Sequence, residues 1–184
     1  STRADWGLLS GIAQALDKRE DVELQIIATN MHLSEKHGNT WKEIERDGLK
    51  IDYRVTMPVQ TDTATDTVVA MSECMKGMSQ AFSRLQPHLL LILGDRFEML
   101  AVASAALIHR IPVAHMHGGE VTLGAFDESI RHSITKMSHL HFTSTEEARN
   151  RVIQLGENPD NVFCTGAIGV YNILNTPLMS REEL

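Results

Sequence analysis

Two cysteines, Cys74 and Cys164, are all that this chain of 184 residues contains. Neither belongs to a C-x-x-C pair, and thiols so few and so far apart exclude a disulfide scaffold; they read as free, buried thiols in a reducing compartment. No apolar run reaches the length of a membrane span, and no basic-then-apolar leader opens the chain, so a soluble, cytoplasmic protein is expected. Basic residues are also short, 17 Lys and Arg against 24 Asp and Glu. They are scattered rather than gathered into a stripe, which argues against nucleic acid and against an anionic membrane as partners. Internal repeats and low-complexity tracts are absent.

What remains is long enough to bury one sizeable core, and a single domain is expected. Apolar residues at helical spacing (Leu8, Leu9, Ile12, Ala13, Leu16) predict a first helix, and "VELQIIAT" a short strand. In the glycine-containing loop that follows, Asn39 or Thr40 would cap a short helix carrying Trp41 and Ile44. "LKIDYRV" reads as a strand. The polar segment "QTDTATDT" leads into a long helix bearing Val69, Met71, Cys74, Met75, Met78 and Phe82, a stripe that reads as packing surface rather than a ligand site. "PHLLLILGD", continuously apolar between Pro87 and Gly94, is what a strand buried on both faces of a parallel sheet looks like. Then come the small-residue helix "RFEMLAVASAALIHR", the strand "IPVAHMH", the helix "DESIRHSITKMS", the strand "HLHFTST", the helix "EEARNRVIQLG" and the strand "NVFCTG". The fold class expected is α/β, a doubly wound parallel sheet of Rossmann type.

Both ends are unusual for such a domain. "STRADWGLLSGIAQAL" enters a helix with no strand before it, so a first strand is expected to precede the chain. "NTPLMSREEL" closes on a capped helix start, Ser180 with Glu183 three residues on. Residues 1–176 are taken as the domain and 177–184 as the start of a linker to a second one.

In doubly wound sheets ligands bind in the crevice beyond the carboxyl ends of the strands. Each expected strand end here is polar: Gly94-Asp95-Arg96, His117-Gly118-Gly119-Glu120, Thr143-Ser144-Thr145 and Thr165-Gly166. The densest stretch is "HMHGGEVTLGAFDESIRH". His115 and His117, alternating on one strand, would face the same side of the sheet, and a metal hydrolase could add Glu120 or Asp127 as ligands. Without a third ligand at a recognisable spacing, hydrogen-bonded histidines at a sheet end are the plainer reading, and no metal is assigned. Gly118 and Gly119 permit close approach of backbone to a ligand. Asp95 would cap the helix it opens, and Arg96 would neutralise a phosphate or pair with a carboxylate. Asp127 would cap the next helix, whose first N–H groups favour an anion, and Arg131 stands at the i, i+4 spacing of an ion pair with it. Asp95, Glu120 and Asp127, with His117 and His132 near them, suit proton abstraction or glycosidic-bond chemistry on a sugar. Pattern alone reaches a sugar or nucleotide enzyme of α/β type.

These stretches resemble the N-terminal domain of hydrolysing UDP-N-acetylglucosamine 2-epimerases, the type that feeds sialic acid and related nonulosonic acid synthesis. The resemblance runs over nearly the whole chain, through "TRADWGLL", "HGNTWKEIERDG", "GDRFEMLAVASAA" and "HGGEVTLGAFDESIRHSITKMSHLHFTSTEEARNRVIQLGE". It implies one Rossmann-like half of a glycosyltransferase-B-like fold, with the active site in the cleft between two halves. It also implies anti elimination of UDP across C1 and C2 to a 2-acetamidoglucal, then addition of water to give N-acetylmannosamine, without metal or redox cofactor. At full length a homo-oligomer, dimer or tetramer, is expected. Catalysis would fall on Asp95, His117, Glu120 and Asp127. Substrate binding would fall on Arg3 and Asp5 in the first loop, on Arg96, on Gly118 and Gly119, and on Arg131 and His132.

The chain departs from the family pattern at two places. Many members read "EGGE" where this chain reads "HGGE", so either His117 takes over the acid/base work or Glu120 carries it. The tail "TGAIGVYNIL" differs from "G-x-P-G-x-D-N-[IL]" at Ile168 and Tyr171. A non-hydrolysing 2-epimerase typically reads "E-A-G-L-R" in place of "H-G-G-E-V". Alternatives of other kinds are a glycosyltransferase of the same fold and a non-catalytic sugar-nucleotide-binding domain. UDP-diacetylbacillosamine is a second possible substrate, and the isolated 184-residue chain, half of a cleft, is expected to be inactive.

Overall fold

The computed structural model describes residues 2–58, 63–124 and 126–175. The expected linker at 177–184 and its cap at Ser180 lie outside the described residues. Among the described residues six short strands are all parallel to their neighbours. β1 (Ile27–Thr29) pairs with β2 (Tyr53–Val55), and β3 (Leu90–Leu93), β4 (Val113–Met116), β5 (Leu140–Thr143) and β6 (Val162–Cys164) form a second sheet in sequence order. Helices α1 (Arg3–Asp17), α2 (Trp41–Arg46), α3 (Ala64–Leu85), α4 (Phe97–Ile108), α5 (Asp127–Met137), α6 (Glu146–Gln154) and α7 (Ile168–Asn175) lie between and after the strands.

Alternation along β3 explains the double winding. Ile92 joins the core built with α3, α4 and α5, where Cys74, Met78, Phe82, Val102 and Ile134 are buried. Leu91 and Leu93 face the other way, into a cluster with Leu8, Leu9 and Ile12 of α1 and Ile168 of α7. The small residues of α4 permit its close approach, since Ala101, Ala103, Ala105 and Ala106 are at most 3% exposed. In the methionine helix the stripe is buried only in part, for Val69 and Met75 remain exposed.

Several boundaries differ from the sequence-based expectation. α1 begins at Arg3, because Thr2 and Asp5 form a reciprocal capping box. Thr40 stands at the N-cap of α2, but its hydroxyl bonds His32 Nδ1 at 2.9 Å rather than the helix. β2 starts only at Tyr53, while Leu49 buries itself in a separate cluster with Trp6, Ile44 and Ala28. α7 occupies the stretch read as a tail, held by Asn172 Nδ2 donating to the carbonyls of Gly7 and Leu8. Both cysteines are free, as expected, but Cys164 is exposed and only Cys74 is buried. Among the described residues no helix is long and apolar enough to cross a membrane.

Candidate active site

Arg131, in the second turn of α5, is 4% exposed and ties together two strand ends. Nη1 donates to the Glu120 carbonyl at 2.7 Å, and Nη2 donates to Thr122 Oγ1 at 2.8 Å and to the Asp95 carboxylate in a salt bridge. A buried guanidinium is tolerated only when its donors are met. Here they hold Asp95, two residues beyond β3, against the loop after β4. The expected i, i+4 pair with Asp127 is therefore not made; Arg131 points into the sheet end instead. Neither proposed cap is a side-chain cap. Arg96 is the N-cap residue of α4 and Phe126 that of α5, each without a capping side-chain bond.

β4 ends at Met116, so His117 lies beyond the strand, with φ of 62° in the left-handed region. This breaks the alternation that would have matched it to His115. Its Nδ1 lies 3.2 Å from Glu120 Oε1, and the same oxygen accepts a hydrogen bond from Ser144 Oγ at 2.7 Å. His117 Nε2 is buried and has no hydrogen-bond partner among the described residues. When Nδ1–H is directed at the carboxylate, the neutral ring presents Nε2 as its lone-pair nitrogen, the form of a general base. The sequence offers Ser144 only as part of a polar strand end, and its position directly after β5 is the signal for it.

The protein's own packing requires glycine at 119 and leaves little room for a side chain at 118. A Cβ on Gly119, whose φ is 78°, would come within 2.2 Å of the Ala148 carbonyl oxygen on α6. One on Gly118 would press His115 Nδ1 and Thr135 Oγ1 at 3.1 Å. The Gly119 carbonyl also accepts a hydrogen bond from Arg151. These contacts seat the turn that carries His117 and Glu120.

Arg96 forms the other wall. Its Nε donates to Glu98 Oε1 at 2.8 Å. Burial pulls its pKa down, but the carboxylates of Glu98, Asp5 and Asp127 outweigh this and raise it. Asp5 and Asp127 thus lie in the field of Arg96 although they come from different helices. Asp5 also accepts from the Thr2 amide in the capping box. Arg3, by contrast, pairs with Glu43 at 3.0 Å on the surface, its own side chain 75% exposed. His132 Nδ1 is buried without a partner among the described residues, and its Nε2 is 3.7 Å from Glu128.

His115 belongs to the core rather than the cleft. Nε2 bonds the Gly94 carbonyl at 2.8 Å and Nδ1 approaches Thr135 Oγ1 at 3.3 Å. Burial lowers its pKa to about 4. Among the described residues no three His, Cys, Asp or Glu side chains are grouped to hold a metal ion.

The family described as UDP-N-acetylglucosamine 2-epimerase matches residues 14–184. The chain belongs to this family. Relatives within it include a GDP/UDP-N,N'-diacetylbacillosamine 2-epimerase (hydrolyzing) from Campylobacter jejuni, 44% identical over all of this chain and 48% of its own length. The polysialic acid biosynthesis protein P7 of Escherichia coli is 42% identical, again over all of this chain and 47% of its own length. The crystal structure of a UDP-GlcNAc 2-epimerase from Neisseria meningitidis superposes with a TM-score of 0.82, at 19% identity, over 94% of this chain and 46% of that one. The epimerase fold of the chain is thereby established, and the chain spans about half the length of the curated relatives it matches.

Proposed function

We propose that the chain is the N-terminal half of a hydrolysing 2-epimerase acting on a UDP-linked 2-acetamido sugar. The observation that carries this reading is the His117–Glu120–Ser144 chain set beside the Arg131–Asp95 pair at the strand ends of a member of this family. In the reaction a base removes the proton on C2 while the C1–O bond breaks and its electron pair leaves with UDP. The resulting C1=C2 glycal then takes water, oxygen to C1 and a proton to C2 on the opposite face. Both steps need groups that accept and deliver protons. His117 Nε2, oriented through Nδ1 by Glu120, takes one of these roles; Asp95 and Asp127 supply carboxylates on the neighbouring strand end and helix start. Arg96 receives the diphosphate, whose paired oxygens match a guanidinium fork.

The reading extends to the whole protein. Uridine contacts belong to the second half of the cleft, so the isolated 184 residues are inactive. The assembly is a cytoplasmic homo-oligomer. One relative is named for diacetylbacillosamine and another for polysialic acid, so UDP-N,N'-diacetylbacillosamine and UDP-N-acetylglucosamine are the two substrates to compare. The test is incubation of the polypeptide, at the length of its relatives, with each sugar. Release of free UDP with the 2-epimeric free sugar (N-acetylmannosamine from the second substrate) supports the reading. An epimer still attached to UDP would assign the non-hydrolysing reaction instead.

A further inference from the structure

Glu98, second residue of α4, is completely buried, 0% exposed. A carboxylate is rarely placed there without a purpose, because desolvation of the charge must be offset by partners. Oε1 has two: Arg96 Nε at 2.8 Å and Asn30 Nδ2 at 2.7 Å. Oε2 is buried with no hydrogen-bond partner among the described residues. Asn30 follows β1 directly and adopts a left-handed φ of 54°, a conformation that asparagine accepts more readily than most residues. Thr29, just before it, fixes the end of the strand through Oγ1 to the Val55 carbonyl at 2.9 Å.

Arg96 sits above this pair with its side chain 35% exposed. Its Nε is taken by Glu98, and Nη1 and Nη2 donate to no described residue. A bond at Nε leaves the two terminal nitrogens as a fork, the group that receives a phosphate bidentately. We propose that Glu98, steadied by Asn30, is a positioning residue that aims the Arg96 fork at the diphosphate of the substrate. This rests on the reading of the site as a UDP-sugar cleft and adds the part that sets its phosphate geometry.

Three variants of the polypeptide at the length of its relatives, Glu98→Gln, Arg96→Ala and the double variant, separate this from a structural role. Calorimetric titration with UDP alone and steady-state kinetics are both recorded. Glu98→Gln removes the charge at nearly unchanged shape. It is expected to weaken UDP binding and raise KM by about 10-fold, with kcat changed by less than about 3-fold. Arg96→Ala weakens binding at least as much, and the double variant is no weaker than Arg96→Ala, since Glu98 acts only through Arg96. Additive losses in the double variant, or unchanged UDP affinity in Glu98→Gln, would overturn the proposal. If Glu98→Gln does not fold, Asn30→Ala takes its place under the same two criteria. Coupled loss of UDP binding without 2-epimerase turnover would leave the positioning role standing and remove the functional reading; turnover with additive losses does the reverse.

Discussion

His117 Nδ1 lies 3.2 Å from Glu120 Oε1, and Ser144 Oγ donates to that same oxygen at 2.7 Å. Three strand-end residues from two different strands are thus joined in series, with the outermost nitrogen, His117 Nε2, left without a partner among the described residues. At position 117 this chain has an imidazole backed by a carboxylate. An imidazole oriented in this way has the form of a proton-transfer group, and the predictions below test that role.

Removing either member of the dyad is therefore expected to affect kcat. His117→Gln and Glu120→Gln, in the polypeptide at the length of its relatives, should each lower kcat by about 100-fold or more with little change in KM. Ser144→Ala, which removes one hydrogen bond to the orienting carboxylate, should cost about 5-fold. Steady-state kinetics on the three variants check the order.

Arg131 holds the site together, so its replacement is expected to be felt in stability as well as rate. Arg131→Met leaves Asp95 without its buried partner and should destabilise the fold by about 3–5 kcal/mol. Thr122→Val, which removes a single acceptor of Arg131, should cost about 1 kcal/mol. Chemical denaturation of both variants measures the difference.

Gly119 and Gly124 both have positive φ, 78° and 79°, but only Gly119 is packed against backbone. Gly124→Ala should cost about 1–2 kcal/mol from the left-handed conformation alone. Gly119→Ala adds a clash with the Ala148 carbonyl, which cannot rotate away as a flexible side chain could. A melting temperature lowered clearly further for Gly119→Ala than for Gly124→Ala is the expected result.

Stability should fall on acidification because His115 is buried neutral. Burial lowers its folded pKa to about 4, below its ordinary value near 6.5. Between these values the unfolded chain binds a proton that the folded chain does not, so stability rises with pH across this window and is lost as pH falls. From about pH 7.5 to about pH 5 the loss from this residue is about 2 kcal/mol. His141, its cross-strand neighbour in β5, is lowered as well, chiefly by burial, and acts in the same direction. Denaturant midpoints across this range should show the decline, and His115→Asn should flatten it.

Much of this fold was legible because its signals are local. The apolar run at Leu89–Leu93 and the small residues of α4 announce a buried strand and the helix packed on it, and polar residues at strand ends locate the cleft. What escaped depends on contacts distant in sequence. Spacing along α5 pointed Arg131 at Asp127, but burial turned its guanidinium to Asp95, thirty-six residues earlier. The sequence also does not show that the Ala148 carbonyl occupies the space a Cβ on Gly119 would need. Glu98 reads in sequence as an ordinary first-turn acid. Only the fold shows it sealed between Arg96 and Asn30.

The account turns on proton exchange at C2 of the sugar. The polypeptide at the length of its relatives, supplied in deuterated water with UDP-N,N'-diacetylbacillosamine or UDP-N-acetylglucosamine, is analysed by NMR of the product. Free UDP together with a 2-epimeric sugar carrying deuterium at C2 is the predicted result, abolished in His117→Gln. A product that retains its original hydrogen at C2 would contradict elimination and re-addition.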